Sequence, residues 1–160
     1  MSEQFRSLIE DLHRQYYPMV YNICLGFLKG DSEPAKDLSQ EVFINAWNGL
    51  AGFRKDASYK TWLYRITVNS CLQYLRKEKN KIKLPIESAE NAIDESVKAD
   101  YQPLYNAIGQ LSEIDRLIIM MVLDEVDYDE IAQVFGLNSV NLRVKIHRIK
   151  SRLKKIMENE

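Results

Sequence analysis

Apolar residues recur at intervals of three and four along most of the chain, the spacing typical of amphipathic α-helices. The first such segment predicts one long helix over residues 2–29, in which Pro18 introduces a kink or a break. Ser32 is expected to cap a second helix that carries Pro34 in its first turn and ends near Trp47. Because no stretch alternates apolar and polar residues, no strand is predicted.

The rest of the chain divides at a segment without helical periodicity. Gly49 and Gly52 bracket a predicted loop, and the next helix is expected over residues 58–79. Residues 80–102 are predicted to be a linker, since they carry Pro85, many charges and no clear period, and would be long for a connection within one compact domain. Four further helices are predicted at residues 103–111, 113–123, 128–135 and 139–157.

These elements predict an all-α fold in which two small helical domains, residues 1–79 and 103–160, are joined by a flexible linker at residues 80–102. A hydrophobic fraction of 46% argues against wholesale disorder, and the apolar runs are too short to span or insert into a membrane. We find no N-terminal secretory signal, and the two cysteines form no CxxC motif. A reduced, cytoplasmic protein is therefore expected.

The net charge of −1 conceals a strong segregation of charge along the sequence. Residues 54–83 hold nine Lys and Arg against two acids, and residues 139–157 hold seven against none. Between them, residues 87–130 hold twelve acids and only two basic residues. Two basic blocks on one chain indicate two contacts with a polyanion, although two solvated helical faces would give the same pattern.

The C-terminal block, YDEIAQVFGLNSVNLRVKIHRIKSRL, has the form of a helix-turn-helix. Asp127 is positioned to cap its first helix, with Glu130 three residues further on in an approximate capping box. Ala132 is small enough for close helix packing, Gly136 suits a turn with positive φ, and Asn138 is a good cap for the second helix.

In that second helix an apolar stripe is expected to lie opposite a basic and amide face that suits reading of the DNA major groove. The alternative is an ordinary terminal helix of a bundle. The stripe comprises Leu142, Ile146, Ile149, Leu153 and Ile156, the opposite face Asn141, Val144, His147, Arg148 and Ser151, and the flanks Arg143, Lys145 and Arg152.

A second unusual face belongs to the helix predicted at residues 58–79. An aromatic side chain, two amides and two cations share one sector: Trp62, Arg65, Asn69, Gln73 and Arg76. Phe53 lies in the preceding loop. Unstacked bases are bound by such combinations of aromatic platforms, amides and phosphate partners, so single-stranded or melted nucleic acid is the predicted ligand. The alternative is that Trp62 and Phe53 complete a small core.

Two stretches carry a resemblance to a known family. The sequence KDLSQEVFINAWNGLAGFRKDASYKTWLYRITVN closely resembles region two of bacterial sigma factors of the sigma-70 family, and the helix-turn-helix resembles their region four. The order and spacing of both match the small extracytoplasmic-function (ECF) group. Departures occur at Val140 and Asn141, where the family often has Gly-Thr, and at Lys145, where it often has Arg. The minus-35 preference is therefore not transferable.

The resemblance implies a factor that directs core RNA polymerase to promoter DNA and nucleates melting, with an anti-sigma factor as a further expected partner. The β′ clamp and β flap are the implied polymerase contacts, and the linker would enter the core enzyme near the RNA exit path. The implied residues are Asp37, Leu38, Gln40, Glu41 and Phe43 for polymerase binding; Phe53, Arg54, Lys60, Trp62, Arg65, Asn69, Gln73 and Arg76 for the minus-10 element; and Asn141, Arg143, Val144, Lys145, His147, Arg148 and Ser151 for the minus-35 element.

Two other classes of function were weighed against this one. A helix-turn-helix regulator with an N-terminal sensing domain would bind duplex DNA by itself and would give residues 37–43 no role. An enzyme is disfavoured, because His13 and His147 lie far apart in sequence and neither a Gly-rich phosphate loop nor a metal-ligand cluster is present in the sequence. No catalytic residue, cofactor or metal is therefore predicted.

Overall fold

The computed structural model describes residues 3–54, 56–81 and 101–159, and every secondary-structure element within them is a helix. This confirms the predicted fold class. Most of the predicted linker, residues 82–100, lies outside the described residues. The elements are α1 (Glu3–Phe27), α2 (Ser32–Gly49), a short 3₁₀ helix (Leu50–Gly52), α3 (Tyr59–Asn80), α4 (Gln102–Ile108), α5 (Glu113–Leu123), α6 (Tyr128–Phe135) and α7 (Ser139–Glu158).

Helix α1 continues through Pro18, so the helix does not break there, and a kink at Pro18 stays a prediction. It ends where the chain turns through positive φ at Lys29 (62°) and Gly30 (89°), and the Gly30 amide donates to the Leu25 carbonyl at 2.8 Å. Ser32 is the first residue of α2 rather than its cap, a position taken by Asp31. The turn therefore starts α2 one residue earlier than the pattern of capping residues indicated.

The first three helices bury one face each against the other two. Helix α1 contributes Val20 and Ile23 to this core, α2 contributes Val42, and α3 contributes Leu63 and Val68. These apolar positions repeat at helical spacing, which is why the sequence predicted all three helices. Their burial fixes which faces of α2 and α3 remain available to a partner.

Helices α6 and α7 form the helix-turn-helix, α5 precedes them, and side-chain caps define the beginnings of all three helices. Ser112, Asp127 and Asn138 each accept a hydrogen bond from a backbone amide of the first turn that follows. Gly136 has φ of 65°, the left-handed conformation expected at the turn between α6 and α7. The predicted capping box is wrong in one respect, because the Glu130 carboxylate accepts a hydrogen bond from Thr61 of α3 instead.

The two groups of helices share one continuous buried core. Helix α5 packs along α1, and α6 contacts α3. The Cβ that Gly26 lacks would overlap the Met120 side chain, so the absence of a side chain in α1 is what lets α5 approach. In this arrangement α1–α3 and α4–α7 form one packed body.

Candidate nucleic-acid and protein-docking interface

Three aromatic rings cluster where the 3₁₀ helix leads into α3. Phe53 stacks on Tyr59 with ring centroids 4.5 Å apart, and its centroid lies 5.2 Å from that of Trp62 in an edge-on geometry. All three side chains are half-buried. Tyr59 and Trp62 also pack against the core. The alternative prediction, that aromatic residues here complete a core, therefore applies to one side of this cluster. The other side remains accessible to a planar ligand.

A strip of amide and cationic side chains continues from this cluster along α3. Asn69, Gln73 and Arg76 are exposed, and Arg65 is half-buried between them and Trp62. The other sides of α3 pack against the core, so this strip of side chains faces the solvent. Exposed amides next to cations provide hydrogen-bond donors and acceptors for bases together with partners for phosphates.

The two other predicted minus-10 residues also lie at this end of the molecule. Arg54 and Lys60 are exposed, and the Lys60 ammonium lies 5.9 Å from the centre of the Tyr64 ring. Ser58 caps α3 by accepting a hydrogen bond from the Thr61 amide at 3.1 Å. This cap fixes the direction in which the first turn of α3 presents its basic side chains.

The exposed face of α2 is acidic. Asp37, Gln40 and Glu41 point to solvent, as a docking surface requires. Leu38 and Phe43, which the resemblance also implied, are buried at 3% and 5% exposure. Their side chains cannot reach a partner in this arrangement and instead hold the helix in place, since Phe43 packs on the aromatic rings of α1.

One exposed apolar side chain completes the α2 face. Ile44 is 53% exposed and lies three and four positions after Glu41 and Gln40 on the same side of the helix. Isolated exposed apolar side chains are common on protein surfaces, so Ile44 adds apolar area to this face without by itself marking an interface. The spacing between Asp37 and Ile44 could be read from the sequence. Only the burial of Leu38 and Phe43 in the structure shows that Ile44 is the apolar residue on the outer side of α2.

A groove of about 190 Å³ joins the faces of α2 and α3. Asp37 and Glu41 line it from α2, and Gln73 and Lys77 line it from α3. The groove therefore has an acidic wall and a wall of amide and basic side chains. A protein contact on α2 and a nucleic-acid contact on α3 would meet along this line.

In the helix-turn-helix, α7 separates its residues as the sequence predicted. The apolar stripe is buried at Leu142, Ile146, Ile149 and Leu153, while Ile156 near the helix end is half-buried. The opposite face is exposed to solvent. Its members are Asn141, Val144, His147, Arg148 and Ser151.

Several cations of α7 are held by side chains of α5 and α6. The Arg143 guanidinium lies 5.4 Å from the centre of the Tyr128 ring, and the Lys150 ammonium donates to the Tyr128 hydroxyl at 3.2 Å. Lys145 forms an ion pair with Asp115 at 3.3 Å. No comparable contact is found for Arg148 within the described part of the chain. Arg148 is thus the cation of this face that is left to meet a ligand.

Two residues of these surfaces were absent from the sequence prediction. Tyr59 belongs to the aromatic cluster and lies three positions before Trp62, a spacing that places both on one helix face. Tyr128 begins α6 and positions two cations of α7. The spacing of Tyr59 was available in the sequence, whereas the role of Tyr128 depends on how α6 packs against α7.

Among residues 3–54, 56–81 and 101–159, no cluster of three or more His, Cys, Asp and Glu side chains is arranged to hold a metal ion. His13 of α1 packs between the rings of Tyr17 and Phe43, at centroid distances of 5.0 and 4.7 Å. In the same described ranges, no helix combines the length and the apolar character that crossing a membrane demands.

Comparison with known proteins places these surfaces in a family context. The sigma-70 region 2 model matches residues 12–81, and the sigma-70 region 4 model matches residues 101–153. The chain is 32% identical over 165 residues to the RNA polymerase sigma factor YlaC of Bacillus subtilis, covering 95% of this chain and 93% of YlaC. It is 27% identical over 158 residues to the ECF sigma factor SigW of the same organism, covering 88% and 83%.

A solved structure shows the same fold. The sigma factor RpoE of Bartonella quintana, in complex with the anti-sigma factor NepR, matches with a TM-score of 0.72 at 19% identity, covering 93% of this chain and 96% of that chain. The two region matches account for α2 and α3 with their exposed faces and for the helix-turn-helix as far as Leu153 of α7. The chain therefore belongs to the sigma-70 family of RNA polymerase sigma factors, within its extracytoplasmic-function group.

Proposed function

We propose that this protein binds core RNA polymerase, directs it to promoters with specific minus-35 and minus-10 elements, and nucleates melting of the minus-10 region. The observation that carries this proposal is the exposed strip of Asn69, Gln73 and Arg76 beside the aromatic cluster of α3. A duplex-binding regulator has no need for an aromatic and amide surface that fits unstacked bases.

In the proposed complex the acidic face of α2 docks on the β′ clamp of the polymerase. Asp37, Gln40 and Glu41 make the direct contacts, and Ile44 supplies apolar area at their centre. Phe43 contributes by packing α2 against α1, and Leu38 contributes from the buried side of α2. A rim of polar groups around an exposed apolar side chain is the usual composition of a protein interface.

The minus-10 contact falls to α3 and the turn before it. Phe53, Tyr59 and Trp62 provide the surface on which an extruded base stacks. Asn69 and Gln73 read base edges, and the exposed cations Arg54, Lys60 and Arg76 meet the phosphates together with the half-buried Arg65. Melting is then favoured because the single strand gains stacking and hydrogen bonds that the duplex cannot offer.

The minus-35 contact falls to α7. Arg148 and Asn141 project from its exposed face as donors for base edges, and Val144 offers a methyl-sized apolar contact. His147 and Ser151 extend the same face. Arg143 and Lys145 lie at its edges, held by Tyr128 and Asp115, and fit contacts to phosphates.

These assignments give each part of the chain a separate role. Residues 1–79 serve polymerase docking and the minus-10 element, residues 103–160 serve the minus-35 element and the β flap, and residues 80–102 connect them. The site of action is the cytoplasm, and the chain provides no covalent chemistry. An anti-sigma factor is an expected antagonist, since the related RpoE is described in complex with one.

Run-off transcription with core polymerase, with and without the protein, on genomic fragments tests this function. The proposal expects discrete transcripts that depend on the protein and on both promoter elements. A helix-turn-helix regulator would instead bind a duplex site without polymerase and would give no transcript with core enzyme alone. That second outcome would indicate that the protein is a helix-turn-helix regulator and not a sigma factor.

A further inference from the structure

The cations that border the exposed face of α7 form two pairs, and the members of each pair are seven positions apart. Arg143 and Lys150 make up one pair, and Lys145 and Arg152 make up the other. Seven residues are close to two full turns of an α-helix, so each pair forms a row about 10 Å long on one flank of the helix. The central row that includes Arg148 lies between these two flanks.

The two flanks are held by different parts of the fold. On one flank, Lys145 pairs with the Asp115 carboxylate of α5 at 3.3 Å. Arg152, on the same flank, donates from Nη2 to the Gln110 carbonyl at 3.3 Å. Both cations of the other flank depend on one side chain, that of Tyr128 at the start of α6.

Tyr128 contacts the two cations of its flank in different ways. The Arg143 guanidinium lies 5.4 Å from the centre of the Tyr128 ring, and the Lys150 ammonium lies 5.9 Å from it. The Lys150 ammonium also donates a hydrogen bond to the Tyr128 hydroxyl at 3.2 Å. Tyr128 is half-buried, and both cations are exposed. One ring therefore holds two cations that stay accessible to a ligand.

The two flanks also differ in how much positive charge they offer. A carboxylate offsets the charge of the cation it holds, as Asp115 does for Lys145, whereas an aromatic ring orders a cation without supplying an opposite charge. Among the residues that the structure describes, neither Arg143 nor Lys150 forms an ion pair with an acid. Because binding to DNA phosphates depends on cations that replace counterions, the Tyr128 flank is the one prepared for phosphates.

The place of Tyr128 in the helix-turn-helix agrees with this assignment. In DNA-binding proteins with this motif, the first helix crosses the DNA backbone while the second enters the major groove. Tyr128 is the first residue of α6, the first helix of the motif, and the pair of cations it holds lies on the flank of α7 that faces α6. This flank therefore borders a phosphate backbone when the central row of α7 meets base edges.

We propose that Tyr128 is a positioning residue for the minus-35 contact, and that it holds Arg143 and Lys150, with their charges intact, as a row that binds neighbouring phosphates of one DNA strand. The inference rests on the proposed function, because it concerns the DNA contact of α7. It adds Lys150 to the DNA-binding residues. Tyr128 supplies geometry and no sequence preference, since the phosphates are the same at every base pair.

Neutralising single phosphates by methylphosphonate substitution tests this inference on the holoenzyme, formed from core polymerase and the full chain. Its affinity is measured for promoter fragments that carry one neutral phosphate at a time around the minus-35 element. Arg143→Ala and Lys150→Ala identify the phosphates that each cation contacts, because neutralising a phosphate costs nothing further once its cation is gone. This set of measurements gives a phosphate profile for the parent chain and for each variant.

Tyr128→Leu should remove most of the affinity loss at those same phosphates and leave the base preference at minus-35 unchanged. It should weaken binding to the unmodified promoter about five- to thirtyfold, since two exposed cation–π contacts are lost. Tyr101→Leu, at a tyrosine that is 53% exposed, is the matched control and should keep the parental profile. Circular dichroism of each variant establishes that the helices are intact.

Tyr128→Phe keeps the ring and removes only the hydrogen bond to Lys150. It should weaken binding about two- to fivefold and change the profile only at the phosphate that Lys150 contacts. Tyr128→Phe/Lys150→Ala should bind no more weakly than Lys150→Ala alone, because the hydroxyl acts through that lysine. This comparison holds even if Tyr128→Leu does not fold.

The results distinguish this inference from the proposed function. An equal loss at every phosphate, together with a weaker base preference, would make Tyr128 a purely structural residue and overturn the inference. Parental or tighter binding by a folded Tyr128→Leu would overturn it as well, as would additive effects of Tyr128→Phe and Lys150→Ala. If the parent holoenzyme shows no preference for a minus-35 element, the proposed function itself fails and the inference falls with it.

Discussion

The hydroxyl of Tyr64 donates a hydrogen bond to Asp124 at 2.6 Å, joining α3 to the end of α5 across 60 positions of sequence. The Tyr64 side chain is completely buried, whereas Asp124 is exposed. Burial and the neighbouring carboxylate raise the pKa of Tyr64 well above its usual value. The hydroxyl therefore stays protonated and keeps donating throughout the physiological pH range.

Tyr64→Phe should lower the free energy of unfolding by about 1–2 kcal/mol, because it removes a hydrogen bond to a carboxylate without leaving a cavity. Urea denaturation followed by circular dichroism measures this change. Tyr101→Phe, at a tyrosine that is 53% exposed, is the control and should be neutral. Equal stability of the two variants would mean that the Tyr64–Asp124 bond contributes nothing net.

Charge reversal on α2 tests polymerase docking. Asp37→Lys/Glu41→Lys should cut core polymerase binding at least about tenfold, since it replaces attraction by repulsion across the docking face. Helix content should not change, because both side chains are exposed. Glu10→Lys, at an exposed acid of α1, is the matched control. Unchanged affinity of the double variant in a pull-down with core enzyme would remove the docking assignment.

Arg148→Ala tests the minus-35 contact. If Arg148 reads a base, its loss should weaken minus-35 recognition by ~1–3 kcal/mol and relax the preference at one position. Holoenzyme binding to a set of single-base promoter variants measures this. Lys154→Ala, an exposed cation elsewhere on α7, should reduce binding less and without regard to sequence. An equal loss on every promoter variant would assign Arg148 to a phosphate contact.

Asn69→Ala tests melting. The side chain is exposed, so the fold and core polymerase binding should hold. Open-complex formation on duplex DNA should fall, because extruding a base costs a few kcal/mol that the lost amide no longer offsets. Permanganate reactivity of the minus-10 thymines measures it, with Asn22→Ala on α1 as the control. Melting at the parental rate and with the parental base preference would make Asn69 a structural residue.

The cysteines give a prediction with a pH dependence. Both Cys24 and Cys71 are fully buried, and burial together with a hydrogen bond to Cys24 raises the pKa of Cys71 well above its ordinary value of 9.0. Less thiolate is then present at any given pH. Iodoacetamide at neutral pH should therefore modify the native chain at least ~100-fold more slowly than the urea-unfolded chain.

The raised pKa of Cys71 also determines how the stability of the fold changes with pH. Because folding raises the pKa of Cys71, the stabilisation from its protonated form is fully present below about pH 9.0 and is lost as the pH rises above that value. Unfolding midpoints measured on both sides of pH 9 should show this loss. Lys29→Cys, whose added thiol is exposed, is the control for alkylation. Rapid modification of the native parent chain would contradict the burial of both cysteines.

The helices and the exposed faces of α3 and α7 can be predicted from the amino-acid sequence without knowledge of the packing. The spacing of apolar residues identified the buried stripe from Leu142 to Leu153. The residue types at Gly136 and Asn138 identified the turn and the helix cap. These features depend on residues within a few positions of one another, so a sequence pattern contains them in full. For the same reason the strip around Asn69 could be identified before any packing was known.

Contacts between distant segments determine which side chains remain available to a partner and how the two groups of helices pack together. Leu38 and Phe43 look like anchors for a partner, yet both are buried, and Lys145 looks like a free cation, yet it pairs with Asp115. Arg116 resembles a surface residue of an acidic segment but is buried against the end of α1. Periodicity identifies which face of a helix is apolar, but the partner of each side chain depends on contacts between residues distant in sequence, which no local pattern encodes.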